Sequence, residues 1–339
     1  MAMYFRLPRL IRIAMRKRRK NTVQYRGMLL LILGAVLLIA AIRGCTMQDE
    51  PVPQSDPPAV RVYLHREDRV VSMSAEDYLV CVLGGEMPAS FPLEALKAQA
   101  VAARTYTLRR MARFGYEGCG SGYDICTDSG CCQAYRSVEE LEKSFGDNAD
   151  PYMDKLREAV LSTAGVVATY NHEPIEALYH SSAGGHTEDA QNVFSSSLPY
   201  LVGVESPGEE DSARYEESES FSAKKFAAKV NKKYPKANLK QSKLSSQVEI
   251  LSRYQSGQVE EIRLGKVTVS GKEFRKLLDL NSANFDIEFE DDAVTITTTG
   301  FGHGVGMSQY GARAMALDGA GYEEILRHYY TGVEVERVW

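Results

Sequence analysis

The chain has 339 residues, with 40 basic and 45 acidic side chains and a net charge of −5. Nine of the basic residues fall within the first 26 positions, so the remainder of the chain is clearly acidic. That excludes a nucleic-acid partner, which needs a basic face, and requires local cations for any anionic polymer it binds.

The tail 1–26 contains Arg6, Arg9, Arg12, Arg16, Lys17, Arg18, Arg19, Lys20 and Arg26, and no acidic residue precedes Asp49. An almost unbroken apolar run over 28–42 follows. With snorkelling basic residues at its edge, the stretch 27–44 is predicted to be a transmembrane anchor, with the basic tail in the cytoplasm and the remainder outside the cell. A cleaved signal peptide is the alternative, but a clear small-x-small site is missing. Residues 45–59, rich in Pro, Asp and Ser, read as an extended linker. The remaining 280 or so residues can hold a substantial core.

Residues 60–64 and 70–73 alternate as short strands. Ser74 and Asp77 then start a helix carrying Tyr78, Leu79, Val82 and Leu83, which Gly84 and Gly85 are expected to stop. Ser90 is expected to cap a second helix with Pro92 in its first turn and an apolar stripe of Leu93, Leu96, Ala100, Ala103 and Leu108. Glu86 lies at the break, among Val82, Leu83, Met87, Phe91 and Pro92. A carboxyl there is poorly solvated, which favours its neutral form and makes it a general-acid candidate.

Four of the six cysteines, Cys119, Cys126, Cys131 and Cys132, sit in one segment. Outside the membrane such a cluster reads as a disulfide; equally, the four thiolates read as ligands of a structural zinc. Neither would perform chemistry. Residues 138–163 read as polar and partly helical, and 165–170 and 175–180 as strands joined by a turn at His172 and Glu173. A small-residue loop comes next, Ser181-Ser182-Ala183-Gly184-Gly185-His186, where backbone can approach a sugar. Residues 206–290 read as a smaller inserted α+β subdomain whose acidic run, Glu209 to Glu219, is a solvated face. The last motif, Gly302-His303-Gly304-Val305-Gly306-Met307-Ser308-Gln309, succeeds a strand and opens a helix. It lacks the Walker lysine and the dinucleotide spacing, so it is not a nucleotide loop. Residues 60–205 and 291–339 are therefore assigned to one catalytic region, in an α+β fold of helices and antiparallel strands that form a substrate cleft.

Three blocks, 85–106, 179–188 and 300–312, resemble in order the family of stage II sporulation protein D, membrane-anchored lytic transglycosylases of the cell wall. The resemblance covers about residues 60–339. It implies cleavage of the bond from N-acetylmuramic acid to N-acetylglucosamine in peptide-stripped glycan strands, with Glu86 as the acid, a 1,6-anhydro product and no catalytic cofactor. Some members hold a structural zinc in the cysteine loop, often with His at the position of Cys131. Lys97, Arg104, Tyr106, His180, Ser181, Gly184, Gly185, Tyr200, His303 and Gln309 are the substrate-contact positions it implies. Lys97 and Arg104 are seven residues apart on one helix face and are expected to read the carboxylates exposed when stem peptides are removed. A sporulation amidase and a membrane scaffold protein of the engulfment machinery are the implied partners. A wall-binding protein that assists an amidase without cleaving glycan is the alternative.

Overall fold

The computed structural model describes residues 56–194 and 196–339. The basic tail, the anchor and residues 45–55 of the linker lie outside them, and no helix among the described residues is long and apolar enough to cross a membrane. In chain order the elements are β1 (Ala59–Leu64), β2 (Arg69–Ser74), α1 (Ala75–Glu86), α2 (Leu93–Leu108), β3 (Ile125–Cys126), α3 (Val138–Phe145), α4 (Ala149–Ser162), β4 (Val166–Tyr170), β5 (Glu173–Pro174), β6 (Tyr179–His180), β7 (Gly185–His186), α5 (Ala190–Phe194) and β8 (Glu205–Ser206). They continue with β9 (Glu216–Ser222), α6 (Ala223–Lys233), α7 (Leu244–Gln247), β10 (Val248–Arg253), β11 (Val259–Leu264), β12 (Val267–Ser270), α8 (Gly271–Leu278), β13 (Phe285–Phe289), β14 (Ala293–Thr299), β15 (Met307–Ser308), α9 (Gln309–Leu317), α10 (Tyr322–Tyr329) and β16 (Glu334–Arg337). The class is α+β, with small, mainly antiparallel sheets.

Helix α2 organises the larger core. Its run of Ala95, Ala98, Ala100, Ala102 and Ala103 is fully buried, and these small side chains let α1, α4, α9, α10 and β4 close around it. Helix propensity and burial agree along this segment, since alanine is the best helix former and loses no side-chain entropy on packing. Strand β1 shows the two-residue period expected of a half-buried strand, with Val60, Val62 and Leu64 inward. A second apolar core, centred on Phe226, Phe274 and Phe285, is confined to residues 221–296. It is built from the sheets β10-β11-β12 and β13-β14-β9 with helices α6 and α8. Strand β14 leaves it and runs directly into the glycine motif.

Two expectations at the first break are corrected. Helix α1 does not stop at the glycines but runs through Gly84 and Gly85 and ends on Glu86. The glycines serve tertiary approach: a Cβ on Gly84 would lie 2.7 Å from the Leu141 side chain, and one on Gly85 3.0 Å from the Ala134 carbonyl oxygen. Nor does Ser90 cap the second helix. Pro92 occupies its N-cap position, and no side chain caps that end.

Candidate functional site

Because α1 ends on Glu86, its carboxylate projects past the last turn toward the strap 133–135. Glu86 Oε1 accepts the Ala134 backbone N–H at 2.6 Å. Tyr179 Oη lies 3.4 Å from the same oxygen, but its single proton goes to the nearer Gln133 Oε1 at 2.8 Å. Among the described residues Glu86 Oε2 meets only the Nε2 of Gln309, at 3.5 Å, from the first residue of α9. One oxygen is thus anchored and the other is left to carry a proton. Burial pushes the Glu86 pKa upward, and the hydrogen bonds from Ala134 and Gln309 offset this only in part.

Glu86 lines a cleft of about 780 Å³. Tyr106, His180, Ser181, His303 and Gln309 line it too, so residues from α2, β6, the glycine motif and α9 converge on one space. The two imidazoles lie with ring centroids 5.5 Å apart. His180 donates Nδ1–H to the Val305 carbonyl at 3.2 Å, leaving Nε2 buried without a partner. His303 accepts the Val305 N–H on Nδ1 at 3.0 Å and so holds the glycine turn as well as facing the cleft. Burial, and then the charge of Arg275, bring His303 down to about 4. His180 is lowered by burial and by His303, so neither ring carries charge near neutral pH.

Five of the expected contact residues do not reach the cleft. Arg104 is only 1% exposed and is committed to structure. It donates from Nη2 to Glu76 Oε2 at 2.5 Å and to the Val160 carbonyl at 3.0 Å, and from Nη1 to the Val166 carbonyl at 3.1 Å. Lys97 pairs with Glu94 at 2.7 Å, and Glu94 in turn accepts the Tyr322 N–H that opens α10. Seven-residue spacing gave these two cations similar azimuths, yet both face protein packed over α2. Tyr200 is buried, its hydroxyl accepting the Glu176 N–H at 3.1 Å. Gly184 gives its N–H to Glu209, and Gly185 pairs in β7 with β8. Glu209 itself departs from the solvated acidic face: it is 1% exposed and gathers the Ala183 N–H, the Gly184 N–H and the Ser206 hydroxyl.

Other cleft residues were not read from the sequence. Glu176 is the second carboxyl lining the cleft among the described residues, and Arg110 and Arg109 hold its two oxygens at 2.7 and 3.4 Å. Arg110 also stacks on Tyr106, 3.3 Å from the ring centroid. An acidic residue inside the apolar run Ile175 to Tyr179 was the available signal. Phe194 and Phe301 supply apolar wall.

The sulfurs of Cys119, Cys126, Cys131 and Cys132 all lie within 4.8 Å of one another, and none of the four is in a disulfide. Cys131 Sγ and Cys132 Sγ are 3.8 Å apart. Tetrahedral zinc with four thiolates at about 2.3 Å needs sulfurs about 3.8 Å from each other, so the donor set fits that ion. Adjacency of Cys131 and Cys132 is no obstacle: both backbone N–H groups bond to the Asp128 carbonyl, at 3.0 and 2.8 Å, and both sulfurs join the group. Cys132 is two residues before Ala134, the donor to Glu86.

Together these features define a mixed α+β cleft protein whose reacting-group candidate is a single, half-buried carboxyl at a helix end. The family model described as stage II sporulation protein matches residues 63–170. The chain is 36% identical to stage II sporulation protein D of Bacillus subtilis over 282 residues, covering 83% of this chain and 80% of the relative. It is 35% identical over 286 residues to the protein of the same name from Bacillus amyloliquefaciens, covering 84% and 81%. An amidase enhancer of Bacillus subtilis is 29% identical over 298 residues, 74% of this chain and 39% of that protein. The chain belongs to the stage II sporulation protein D family.

Proposed function

We propose that the protein is a lytic transglycosylase of sporulation that cuts peptide-stripped peptidoglycan strands between N-acetylmuramic acid and N-acetylglucosamine. The observation that carries this reading is Glu86: half-buried, raised in pKa, anchored by one oxygen and open to the cleft at the other. Protonated Glu86 gives its proton to the glycosidic oxygen as the bond to C1 breaks. The C6 hydroxyl of the same muramic acid then attacks C1, and the Glu86 carboxylate takes the hydroxyl proton. Bonds and protons balance without water, and the acid is restored. Hydrolases generally need a second free carboxylate as base or nucleophile; the one at hand, Glu176, is held by two arginines. Incubating the full-length chain with amidase-stripped and intact strands tests the reading: soluble glycan fragments are expected from stripped strands, and none from either substrate would refute it.

The reading includes a single-pass membrane anchor at 27–44, with the C-terminal region outside the cell, and association with a sporulation amidase and a membrane scaffold protein. The kinship with an amidase enhancer favours a second reading, in which the cleft binds wall and assists an amidase without cutting. Glycan release separates the two.

Zinc, when bound by Cys119, Cys126, Cys131 and Cys132, would act as a covalent-like staple, since four protein thiolates fill its coordination. Those residues hold the loop whose next turn presents Ala134 N–H to Glu86. Metal analysis of the purified chain is expected to give one zinc per molecule, lost in Cys126→Ser, with a lowered melting temperature after chelation. A Cys119 to Cys132 or Cys126 to Cys131 disulfide found by mass spectrometry would contradict it.

Gly85→Ala follows the same geometry. The added methyl meets backbone of Ala134 and Tyr135 at 3.0 and 3.1 Å, so the strap must shift by a few tenths of an ångström. Because small misplacements of a reacting group are costly, glycan cleavage is expected to fall about tenfold with the fold intact. Cleavage rate and circular dichroism, measured together, check it.

A further inference from the structure

Helix α8 of the second core approaches the cleft at His303. Arg275, on this helix, shares a small cavity with His303, and its charge bears on both cleft imidazoles. Its Nε donates to the Leu280 carbonyl at 3.1 Å. Among the described residues its two terminal nitrogens have no hydrogen bond and no salt bridge; burial lowers its pKa, and the charge of Asp279, four residues on, offsets this in part. Lys272, one turn earlier, reaches the Val193 carbonyl and lies 5.8 Å from the Phe194 ring centroid, and Phe194 packs edge-on against His303. Arg214 covers Phe301, a cleft-wall residue, at 4.8 Å from its ring centroid. Neither Lys272 nor Arg214 is in a salt bridge among the described residues. Two cations without a salt bridge among the described residues, Arg275 and Lys272, thus line the small cavity that His303 shares with the cleft, together with one carboxylate, Glu260, while Arg110 in the cleft itself is paired with Glu176. A partly buried guanidinium whose terminal nitrogens have no protein partner can take an anion from outside in a charge-assisted contact.

We propose that α8 supplies an anion-reading subsite, in which the Arg275 guanidinium, with Lys272 beside it, takes a carboxylate of a saccharide lying past His303. The inference rests on the glycan reading above and assigns the carboxylate recognition to the second core instead of α2. In stripped strands that carboxylate is the lactyl group of muramic acid. The test is equilibrium binding by the full-length Glu86→Gln protein, which cannot consume the ligand. Two probes are used: amidase-stripped strands with free carboxylates, and the same strands with the carboxylates converted to methylamides. Free-carboxylate strands are expected to bind about tenfold more tightly, the scale of one charge-assisted contact, with the difference shrinking in high salt. Adding Arg275→Gln should erase the difference while leaving methylamide binding unchanged, and Arg275→Lys should restore part of it. Equal binding of the two probes, which needs no change to α8, overturns the subsite while leaving the glycan reading intact; so does a difference that survives Arg275→Gln. Failure to bind either strand refutes the glycan reading and the subsite with it.

Discussion

Glu86→Gln is expected to reduce glycan cleavage by about 10²–10⁴-fold, the range for removing a positioned general acid. Glutamine keeps the acceptor for Ala134 N–H but has no proton to give the glycosidic oxygen. In the unmodified protein the rate should fall as pH rises through the raised Glu86 pKa, because the active form is the protonated one. The stability sign is the same. A carboxyl whose folded pKa exceeds its unfolded value favours the fold below the unfolded pKa and loses that contribution as pH rises through the folded pKa. The Gln variant carries no such penalty, so urea midpoints at pH 8 should be equal to or above those of the parent. A variant that is inactive but also less stable at pH 8 would point to a structural role for Glu86.

Arg104→Met should have the largest effect on stability. It strands the Glu76 carboxylate, 3% exposed, whose remaining donor is the Gly165 N–H at 3.2 Å. Breaking a buried pair from one side costs about 3–5 kcal/mol, whereas removing both charges is far milder. Glu76→Gln with Arg104→Met should therefore recover most of the loss, and urea denaturation of the parent, single and double variants gives the coupling. The guanidinium joins α1, α2, the end of α4 and the start of β4, so one substitution loosens four elements. If Arg104→Met unfolded at the parental midpoint yet failed to bind glycan, Arg104 would be a ligand residue after all.

What the sequence disclosed depended on how local each cause was. The stripe on α2 and Glu86 among apolar neighbours are read within a few residues, as is the glycine turn that opens α9. The cysteine grouping was legible as a cluster, although sulfur positions were not. Gly84 and Gly85 looked like a helix stop because their purpose lies with Leu141 and Ala134, some 50 residues away. Arg104 looked like a ligand because its partner, Glu76, is 28 residues earlier on another helix. Glu209 was grouped with exposed acids although it alone turns inward to collect the Ala183 and Gly184 amides. Arg275 gave no signal in a lysine- and arginine-bearing amphipathic helix; only tertiary placement brings it beside His303.

The most direct test of Glu86 acting with the substrate's own hydroxyl is digestion of amidase-stripped strands in ¹⁸O-labelled water, with the new ends read by mass spectrometry. Intramolecular attack predicts 1,6-anhydro muramic ends, lighter by one water and free of label. Reducing ends carrying ¹⁸O would contradict it and bring Glu176 forward as the second carboxylate of a hydrolase.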